Sequence, residues 1–354
     1  MRAPESRATQ SPGLRVWTRF KANRQAWWSL VILASLFALS LGAELIANDK
    51  PLVARYDGHW FLPLWNEYPE TAFGGELNTE ADYHEPFVRR ALEKPGNFAL
   101  YSPNGWGYAA MNYYPTTPHP APPSLTNLLG TDIIGRDIAA RLLYAFRISM
   151  LFGLGLTAIG VILGVAFGAI QGFFGGSVDL ITQRLIEVWG SLPELYLLII
   201  FASLLEPSIW LIFVLLSMFS WIGLSDYVRA EFLRNRHLEY VSAARAMGLS
   251  NWQIMWRHVL PNSLTPVITF IPFRISAAIM ALTSLDFLGL GVPAPTPSLG
   301  ELLAQGKTYL YAWWISIPTF VVLISTLLLL TFIGDGLRSA MDTRSSARLS
   351  KVVP

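Results

Sequence analysis

ISMLFGLGLTAIGVILGVAFGAIQGFF, residues 148–174, is a run without a single charged side chain. A helix of about 20 apolar residues is long enough to cross the hydrocarbon core of a bilayer. Lipid offers the backbone N–H and C=O groups no hydrogen-bond partner, so a helix is one of the few structures that can cross it. The run therefore predicts a membrane-spanning helix.

Further apolar runs flank this one, and two of them meet inside one long stretch. Leu195–Ser225 has one interior charge, Glu206, which is followed by Pro207. A single helix over this stretch would measure about 46 Å, too long for a hydrocarbon core of about 30 Å. We therefore predict two spans that meet at this dipeptide, and six spans in all. The predicted spans are 26–47, 148–174, 188–206, 207–225, 263–290 and 312–334.

The composition supports a membrane protein. Of the 354 residues, 53% are hydrophobic and only 14% are charged, against about 25% charged residues in soluble domains. The net charge of +2 gives no overall positive field for nucleic acid. The chain has no cysteine, which excludes disulfides, thiolate catalysis and cysteine-based metal sites.

The basic residues predict the orientation of the spans. With the N-terminus inside, the inner segments hold 16 lysines and arginines, whereas the short outer loop 291–311 holds only Lys307. This is the bias expected of cytoplasmic loops, so both termini are predicted to be cytoplasmic. The predicted organisation is a tail 1–25, a first span 26–47, an extracytoplasmic insert 48–131, a transmembrane domain 132–344 with a cytoplasmic loop 226–262, and a tail 345–354.

The insert 48–131 differs from the rest of the chain, with 5 basic and 9 acidic residues and many Trp, Tyr, Asn and Pro. Its proline-rich run, Pro115–Pro123, should be extended and semi-rigid. The run could be a spacer, or part of a docking surface that the insert offers to an external partner. The sequence leaves both interpretations open.

A ladder of glycines runs along the uncharged helix at intervals of four residues, which places them on one face. Small residues let helix backbones approach closely where lipid supplies no hydrophobic driving force. The pattern therefore predicts tight helix packing, either within this chain or against a second subunit. The ladder consists of Gly160, Gly164, Gly168 and Gly172.

The cytoplasmic loop 226–262 carries local signals for a helical hairpin. Glu239–Met247 are good helix formers, and Gly248 suits the left-handed position after a helix. Ser250 and Gln253 match a capping box that opens a second helix, which Pro261 should end. Such a hairpin could lie in a groove of a partner protein or on lipid headgroups. A DNA-binding role is disfavoured, because the hairpin is tethered to a bilayer and carries little positive charge.

The residues of this hairpin resemble a known motif. Ala243-Ala244, Gly248 and Leu260-Pro261 are similar to the EAA loop of ABC importer permeases, although Ser242 and His258 depart from its general form. The resemblance is closest to the dipeptide/oligopeptide branch, and the long insert resembles its Yej-type subgroup, associated with oligopeptides and microcin C-like antibiotics. Three more segments agree with that branch: Leu129–Asp137, Phe287–Gly300 and Gly334–Arg344.

The resemblance implies an all-α membrane protein with the type I ABC importer permease fold, located in the bacterial inner membrane. It implies a second homologous permease, a cytoplasmic ATPase that binds ATP and Mg, and a periplasmic peptide-binding protein, with a peptide as cargo. It implies no role for nucleic acid. The implied contact with the ATPase is made by Glu239, Tyr240, Ser242, Ala243, Ala244, Arg245, Ala246, Met247, Gly248 and Leu249.

Two charges inside the fifth predicted span invite a separate hypothesis. Arg274 lies near mid-membrane, where a charge costs at least about 2.5–3.5 kcal/mol, so it should face the protein interior. It could line the translocation path, or it could form a structural ion pair. Peptide permeases often carry Glu where this chain has Leu282, and Asp286 could take its place in the path or a gate.

Other chemistry finds little support in the sequence. Gly306-Lys307-Thr308 mimics the end of a nucleotide-binding loop, but Glu301 occupies the position of its first glycine. We therefore expect no enzymatic activity, no cofactor and no metal on this chain, with ATP hydrolysis on a partner. The alternatives are a dipeptide or nickel permease of the same family, an ion-coupled carrier acting alone, and a membrane sensor.

Overall fold

A computed structural model of the protein describes residues 12–113 and 117–342, and most of these residues are helical. The helices are α1 (Pro12–Ala22), α2 (Arg24–Leu41), α3 (Ala43–Ile46), α4 (Pro86–Leu92), α5 (Ile138–Phe174), α6 (Gly176–Gly190), α7 (Glu194–Leu204), α8 (Ile209–Ser220), α9 (Ile222–Asn235), α10 (Glu239–Ala246), α11 (Asn251–Ile254), α12 (Leu260–Phe287), α13 (Leu299–Thr308) and α14 (Trp313–Met341). The strands are β1 (Val53–Tyr56), β2 (His59–Phe61) and β3 (Phe98–Leu100). The predicted tail 345–354 lies outside the described residues.

Five helical segments in the described part of the chain are long and apolar enough to cross a membrane. They are α2, α5, α8 with α9, α11 with α12, and α14. A sixth span is possible only as a pair, since α6 and α7 meet at an angle of 61°. The single helix predicted over 188–206 is thus broken, because Pro193 has no N–H to continue a helix.

Helix α5 begins at Ile138, ten residues before the predicted start of its span. The side chain of Asp137 caps it by accepting a hydrogen bond from the backbone N–H of Ala140 at 2.8 Å. The additional turns contain Arg141 and Arg147, which pair with the acids Glu301 and Glu44 outside the helix. The apolar run therefore predicted the C-terminal end of this helix, Phe174, but not its start.

The second helix of the cytoplasmic hairpin does not end at Pro261. Residues Asn251–Phe287 form one continuous helix, through a π-helical turn at Met255–Val259. Pro261 follows this turn in the first turn of α12. A proline is tolerated within the continuous helix because the π-helical turn already interrupts the regular i→i−4 hydrogen-bond pattern just before it. The prediction that this proline separates the hairpin from the fifth span is wrong.

The insert contains a small antiparallel sheet in the order β2-β1-β3, in which Ala54 lies opposite both Phe61 and Ala99. Its core consists of Ala54, Phe73, Ala81, Tyr83, Val88 and Leu92. Residues 117–123 of the proline-rich run have no regular secondary structure, and Pro115 lies outside the described residues. The Ala121 backbone exchanges hydrogen bonds of 2.9 Å with Thr131, which holds the run against the segment before α5.

Candidate functional site

The cytoplasmic hairpin has the local geometry that its sequence predicts. Gly248 follows α10 with a φ of +80°, a conformation that favours glycine. The Gln253 N–H donates to the Ser250 hydroxyl at 3.3 Å, and the Ser250 N–H donates to the Gln253 side chain at 3.1 Å. This reciprocal capping box opens α11. The predicted turn and capping box are therefore confirmed.

Most of the residues expected to contact an ATPase lie on the outside of this hairpin. Met247 is 73% exposed, and Leu249 is half-buried. Ala244 is the exception, because it is only 1% exposed and packs in a cluster with Val241 and Ile254. Ala244 was predicted as a surface contact, but its side chain packs inside the hairpin instead. The exposed set is Glu239, Tyr240, Ser242, Ala243, Arg245, Ala246, Met247 and Gly248.

The hairpin packs against one end of the membrane helices. Its buried cluster continues into Ala169 and Phe173 of α5 and Phe232 of α9. The guanidinium of Arg245 lies 5.9 Å from the centroid of the Phe173 ring, within the range of a cation–π contact. The surface offered to a partner is therefore packed directly on the transmembrane bundle.

The glycine ladder packs against α8 and α9 of the same chain. A Cβ added at Gly164 would lie 2.9 Å from the Cβ of Leu224, and one added at Gly168 would lie 2.5 Å from the Ser225 carbonyl oxygen. At Gly172 the same test meets the Arg229 carbonyl oxygen at 2.6 Å. Real Cβ atoms do not approach other atoms so closely, so only glycine fits. Of the two alternatives for the ladder, these contacts represent packing within the chain.

Polar side chains join α5, α9 and α12 near the hairpin. The Gln171 amide donates to the Ser225 hydroxyl at 2.7 Å, and the Asn235 amide donates to the Ser263 hydroxyl at 2.9 Å. Both bonds are buried. Arg229 also forms a two-pronged ion pair with Asp179 of α6. Nothing in the sequence indicated these pairs, because their partners are at least 28 residues apart.

Arg274 faces the protein interior, as expected from the high free energy of a charged side chain exposed to lipid. Its guanidinium donates to the carbonyl oxygen of Ser220 at the end of α8. None of the described residues places a carboxylate oxygen within 4 Å of it, so a structural ion pair is not found there. The residue lines a cavity of about 200 Å³ that also borders Thr157 and Glu194.

Asp286 has a different environment from the one expected of a path residue. It is 8% exposed, and its carboxylate accepts hydrogen bonds from the Val292 N–H at 2.8 Å and from the Ser298 hydroxyl. Ser298 in turn caps α13 through the Gly300 N–H at 3.1 Å. These contacts use the carboxylate of Asp286 to fix the loop after α12, and its place in a path or gate stays a prediction.

A buried cluster of charges at the outer end of α5 was not identified as a unit from the sequence. Arg136 donates to Asp132 at 2.7 Å and to Glu301 of α13 at 3.0 Å. Arg141, which is fully buried, also donates to Glu301 and to the Tyr108 carbonyl oxygen at 3.2 Å. The outer cluster, defined as Asp132, Arg136, Arg141 and Glu301, joins the start of α5 to α13.

Comparison with known proteins assigns the chain to a family. Residues 160–346 match the family described as "Binding-protein-dependent transport system inner membrane component". Residues 11–63 match the "N-terminal TM domain of oligopeptide transport permease C". The first match covers more than half of the chain. The chain belongs to this family of inner membrane permeases.

Individual relatives support the same assignment and its Yej-type subgroup. The "Inner membrane ABC transporter permease protein YejE" of Escherichia coli (strain K12) is 48% identical, over 92% of this chain and 95% of its own length. The "Peptidoglycan transport system permease protein YejE" of Agrobacterium fabrum is 44% identical, over 94% of this chain and 93% of its own.

A solved structure of the inward-facing MetNI methionine ABC transporter shares 17% identity, covers 57% of this chain and 95% of its own, and has a TM-score of 0.47.

Proposed function

We propose that this permease is a transmembrane subunit of an ATP-driven importer of oligopeptides, and that its cytoplasmic hairpin receives the movement of an ATPase. The observation that carries the proposal is the hairpin itself, which exposes Arg245 and Met247 while its inner face packs on α5 and α9. A partner that grips the exposed face would move these helices with it. ATP and Mg would be bound by that partner, not by this chain.

The proposed cargo is supported by the substrates for which the relatives are named. They include a dipeptide permease of Lactococcus lactis, 30% identical over 93% of this chain, and an oligopeptide permease of Haemophilus influenzae, 35% identical over 62% of it. Together with the Yej-type relatives, these support a peptide cargo, which could extend to microcin C-like peptide antibiotics. Dipeptides and nickel are the competing cargoes within this family.

The remaining parts of the assembly follow from the same proposal. A second, homologous permease would complete the translocation path, and a periplasmic peptide-binding protein would deliver the cargo. The insert is the part of this chain that extends outside the membrane, and its folded sheet offers that protein a surface. With the hairpin facing the ATPase, both termini lie in the cytoplasm.

Crosslinking tests the contact with the ATPase. The chain has no native cysteine, so single cysteines can be introduced at Met247 and at Ala244, which are 73% and 1% exposed. In the complete complex, M247C should crosslink to a cysteine series on the ATPase surface, whereas the buried A244C should not. If M247C captures no ATPase subunit, or if both variants react only from the periplasm, the proposal is overturned.

Uptake into vesicles tests the function. The reconstituted complex should accumulate oligopeptides with ATP, and a catalytically inactive ATPase should abolish this uptake. G248V should uncouple ATP hydrolysis from uptake, because valine is strained at a φ of +80°. Uptake that persists with the inactive ATPase would instead identify an ion-coupled carrier. Accumulation of Ni²⁺ in place of peptide would overturn the cargo.

A further inference from the structure

The cavity beside Arg274 is a polar site set among apolar helices. It has a volume of about 200 Å³ and lies between α5, α8 and α12, with the first turn of α7 at its edge. Its polar lining consists of Thr157, Glu194, Ser220 and Arg274. The rest of its wall is apolar: Leu156, Leu216, Ala277, Ala278 and Ala281.

Two polar groups in this cavity lack a partner within the described part of the chain. The Nε of Arg274 and the hydroxyl of Thr157 are both buried and make no hydrogen bond there. Buried polar groups are nearly always hydrogen-bonded, and leaving one unpaired is costly. The Thr157 residue is 5% exposed, so bulk water does not compensate for the missing bond. The pair therefore indicates a site that a polar ligand completes.

The helices around Arg274 are shaped to hold its guanidinium in place. A Cβ added at Gly160 would lie 3.0 Å from Nη2 of Arg274, so this glycine of the ladder leaves room for the charge. The carbonyl oxygen of Ser220 accepts one guanidinium N–H at the end of α8. This carbonyl is uncharged, so the bond holds Arg274 in place without neutralising it. The charge is fixed in position and has no counter-ion among residues 12–113 and 117–342.

Glu194 supplies the opposite charge at the edge of the same cavity. It follows Pro193 in the first turn of α7, and its side chain is exposed. It forms no ion pair within 4 Å with any described residue. The cavity therefore presents a cation and an anion that face one space but do not pair with each other.

We propose that this cavity binds the charged end of the transported peptide. The carboxylate of that end pairs with Arg274 and accepts the hydrogen bond of Thr157, while an ammonium group on the same residue pairs with Glu194. Guanidinium is well suited to this role, because it binds carboxylates through two parallel hydrogen bonds. The class of ligand is a peptide whose last residue bears both charges, such as a C-terminal lysine. This inference rests on the proposed function of peptide import.

Three peptides that differ only at their C-terminal end test the inference. One ends in lysine with a free carboxylate, one in norleucine with a free carboxylate, and one in lysine amide. With the complete complex in ATP-loaded vesicles, the first should be taken up best at low concentration. A charge-assisted pair contributes about tenfold in apparent affinity, so each missing charge should raise KM by about that factor.

Two variants assign the charges to their residues. E194Q should remove the preference for lysine over norleucine and leave the preference for acid over amide intact. R274Q should do the reverse, and Arg274→Lys should restore part of the preference for acid. T157V should raise KM for both acids, whereas the control T319V, on α14, should not, because the Thr319 hydroxyl is already bonded to the Ile315 carbonyl oxygen.

The outcomes separate this inference from the proposed function. If the wild-type complex imports all three peptides with equal KM, the cavity does not read the peptide end, although peptide import stands. If it imports none of them, peptide import itself fails. Should R274Q not assemble, E194Q still decides, because Glu194 is exposed and makes no ion pair that the variant would break. An unchanged lysine preference in E194Q would overturn the inference.

Discussion

The two ends of α5 are held by opposite kinds of interaction. At the outer end, Arg141 is fully buried and paired with Glu301 of α13. Towards the hairpin, Gly164 and Gly168 let α9 approach until backbone and side chain touch. The difference follows the surroundings, since charges can be satisfied by acids and carbonyls of the outer loops, whereas the hydrocarbon region favours close packing of small residues.

The two ends also differ in what they require of the chain. The glycine ladder needs only a helix of complementary shape, and each of its glycines makes the same kind of close contact. The outer cluster needs each charge to find its partner, because removing one leaves another charge buried and unpaired. We therefore expect single substitutions to cost more at the outer end.

Arg141→Met should have the largest effect. It leaves Asp132 and Glu301 with Arg136 as their remaining cation in the outer cluster, which we expect to cost about 3–5 kcal/mol in the free energy of unfolding. Thermal unfolding of the purified transporter in detergent measures this loss.

The control is Arg89→Met in the insert, which breaks an ion pair whose two side chains are 61% and 65% exposed. We expect this variant to cost less than about 1 kcal/mol. Adding Glu301→Gln to Arg141→Met should recover part of the lost stability. Equal effects of the two arginine variants would contradict the contrast between the ends of α5.

Gly168→Ala should have the next largest effect. The new methyl group would lie 2.5 Å from the Ser225 carbonyl oxygen and 2.7 Å from the Cβ of Val228, so α5 and α9 must separate. Overpacking of this kind costs about 1–3 kcal/mol. Gly223→Ala, in the first turn of α9, is the matched control, because an added Cβ there meets no atom within 4 Å. A Gly168→Ala variant as stable as Gly223→Ala would refute the tight packing.

Tyr83 should make the stability of the insert sensitive to alkaline pH. The glycine ladder has no titratable side chain, so its packing should not respond in this way. Burial raises the pKa of its phenol, and its hydroxyl has no hydrogen-bond partner among the residues that the structure describes. The unfolded chain therefore ionises first, near pH 10, and stability that is present below this pH falls as the pH rises.

Tyr83→Phe should lose less stability than the wild type between about pH 9 and pH 11. It should also gain about 1 kcal/mol at neutral pH, because it removes a buried hydroxyl that lacks a partner. Gly168→Ala should show the alkaline loss of the wild type. Parallel pH profiles for Tyr83→Phe and the wild type would argue against this role of Tyr83.

Glu44→Gln should have the smallest effect. Glu44 lies in α3 and pairs with Arg147, which lies in the third turn of α5. Arg147 contacts the Glu44 carboxylate at 2.8 Å, but the Glu44 side chain is 43% exposed. Arg147 also lies over the Tyr144 ring, so it keeps a partner in the variant. The expected cost is about 0.2–1 kcal/mol and should shrink at high salt. A loss as large as that of Arg141→Met would show that exposure does not set the strength of these pairs.

Local signals in the sequence predicted local structure well. Gly248 and the Ser250–Gln253 pair lie within six residues of one another, and each acts on backbone groups beside it. The glycine spacing likewise predicted which face of α5 packs closely. Such signals need no knowledge of what lies across the fold.

The features that were missed depend on residues far apart in the chain. Arg141 and Glu301 are 160 residues apart, so no window of sequence contains both. The inward orientation of Ala244 is set by the helices beneath the hairpin, which an alanine-rich pattern does not reveal. The cavity that Glu194 and Arg274 both line exists only once residues of α5, α7, α8 and α12 are brought together by the fold.

The continuity of the helix over Asn251–Phe287 has a mechanical consequence. At 37 residues it is about 55 Å long, and it runs from the capping box at one end to Asp286 near the other. When the helix moves as one body, a tilt of about 10° around its middle displaces each tip by about 5 Å. Because Asp286 is bonded to Ser298, a displacement of this tip would carry α13 with it.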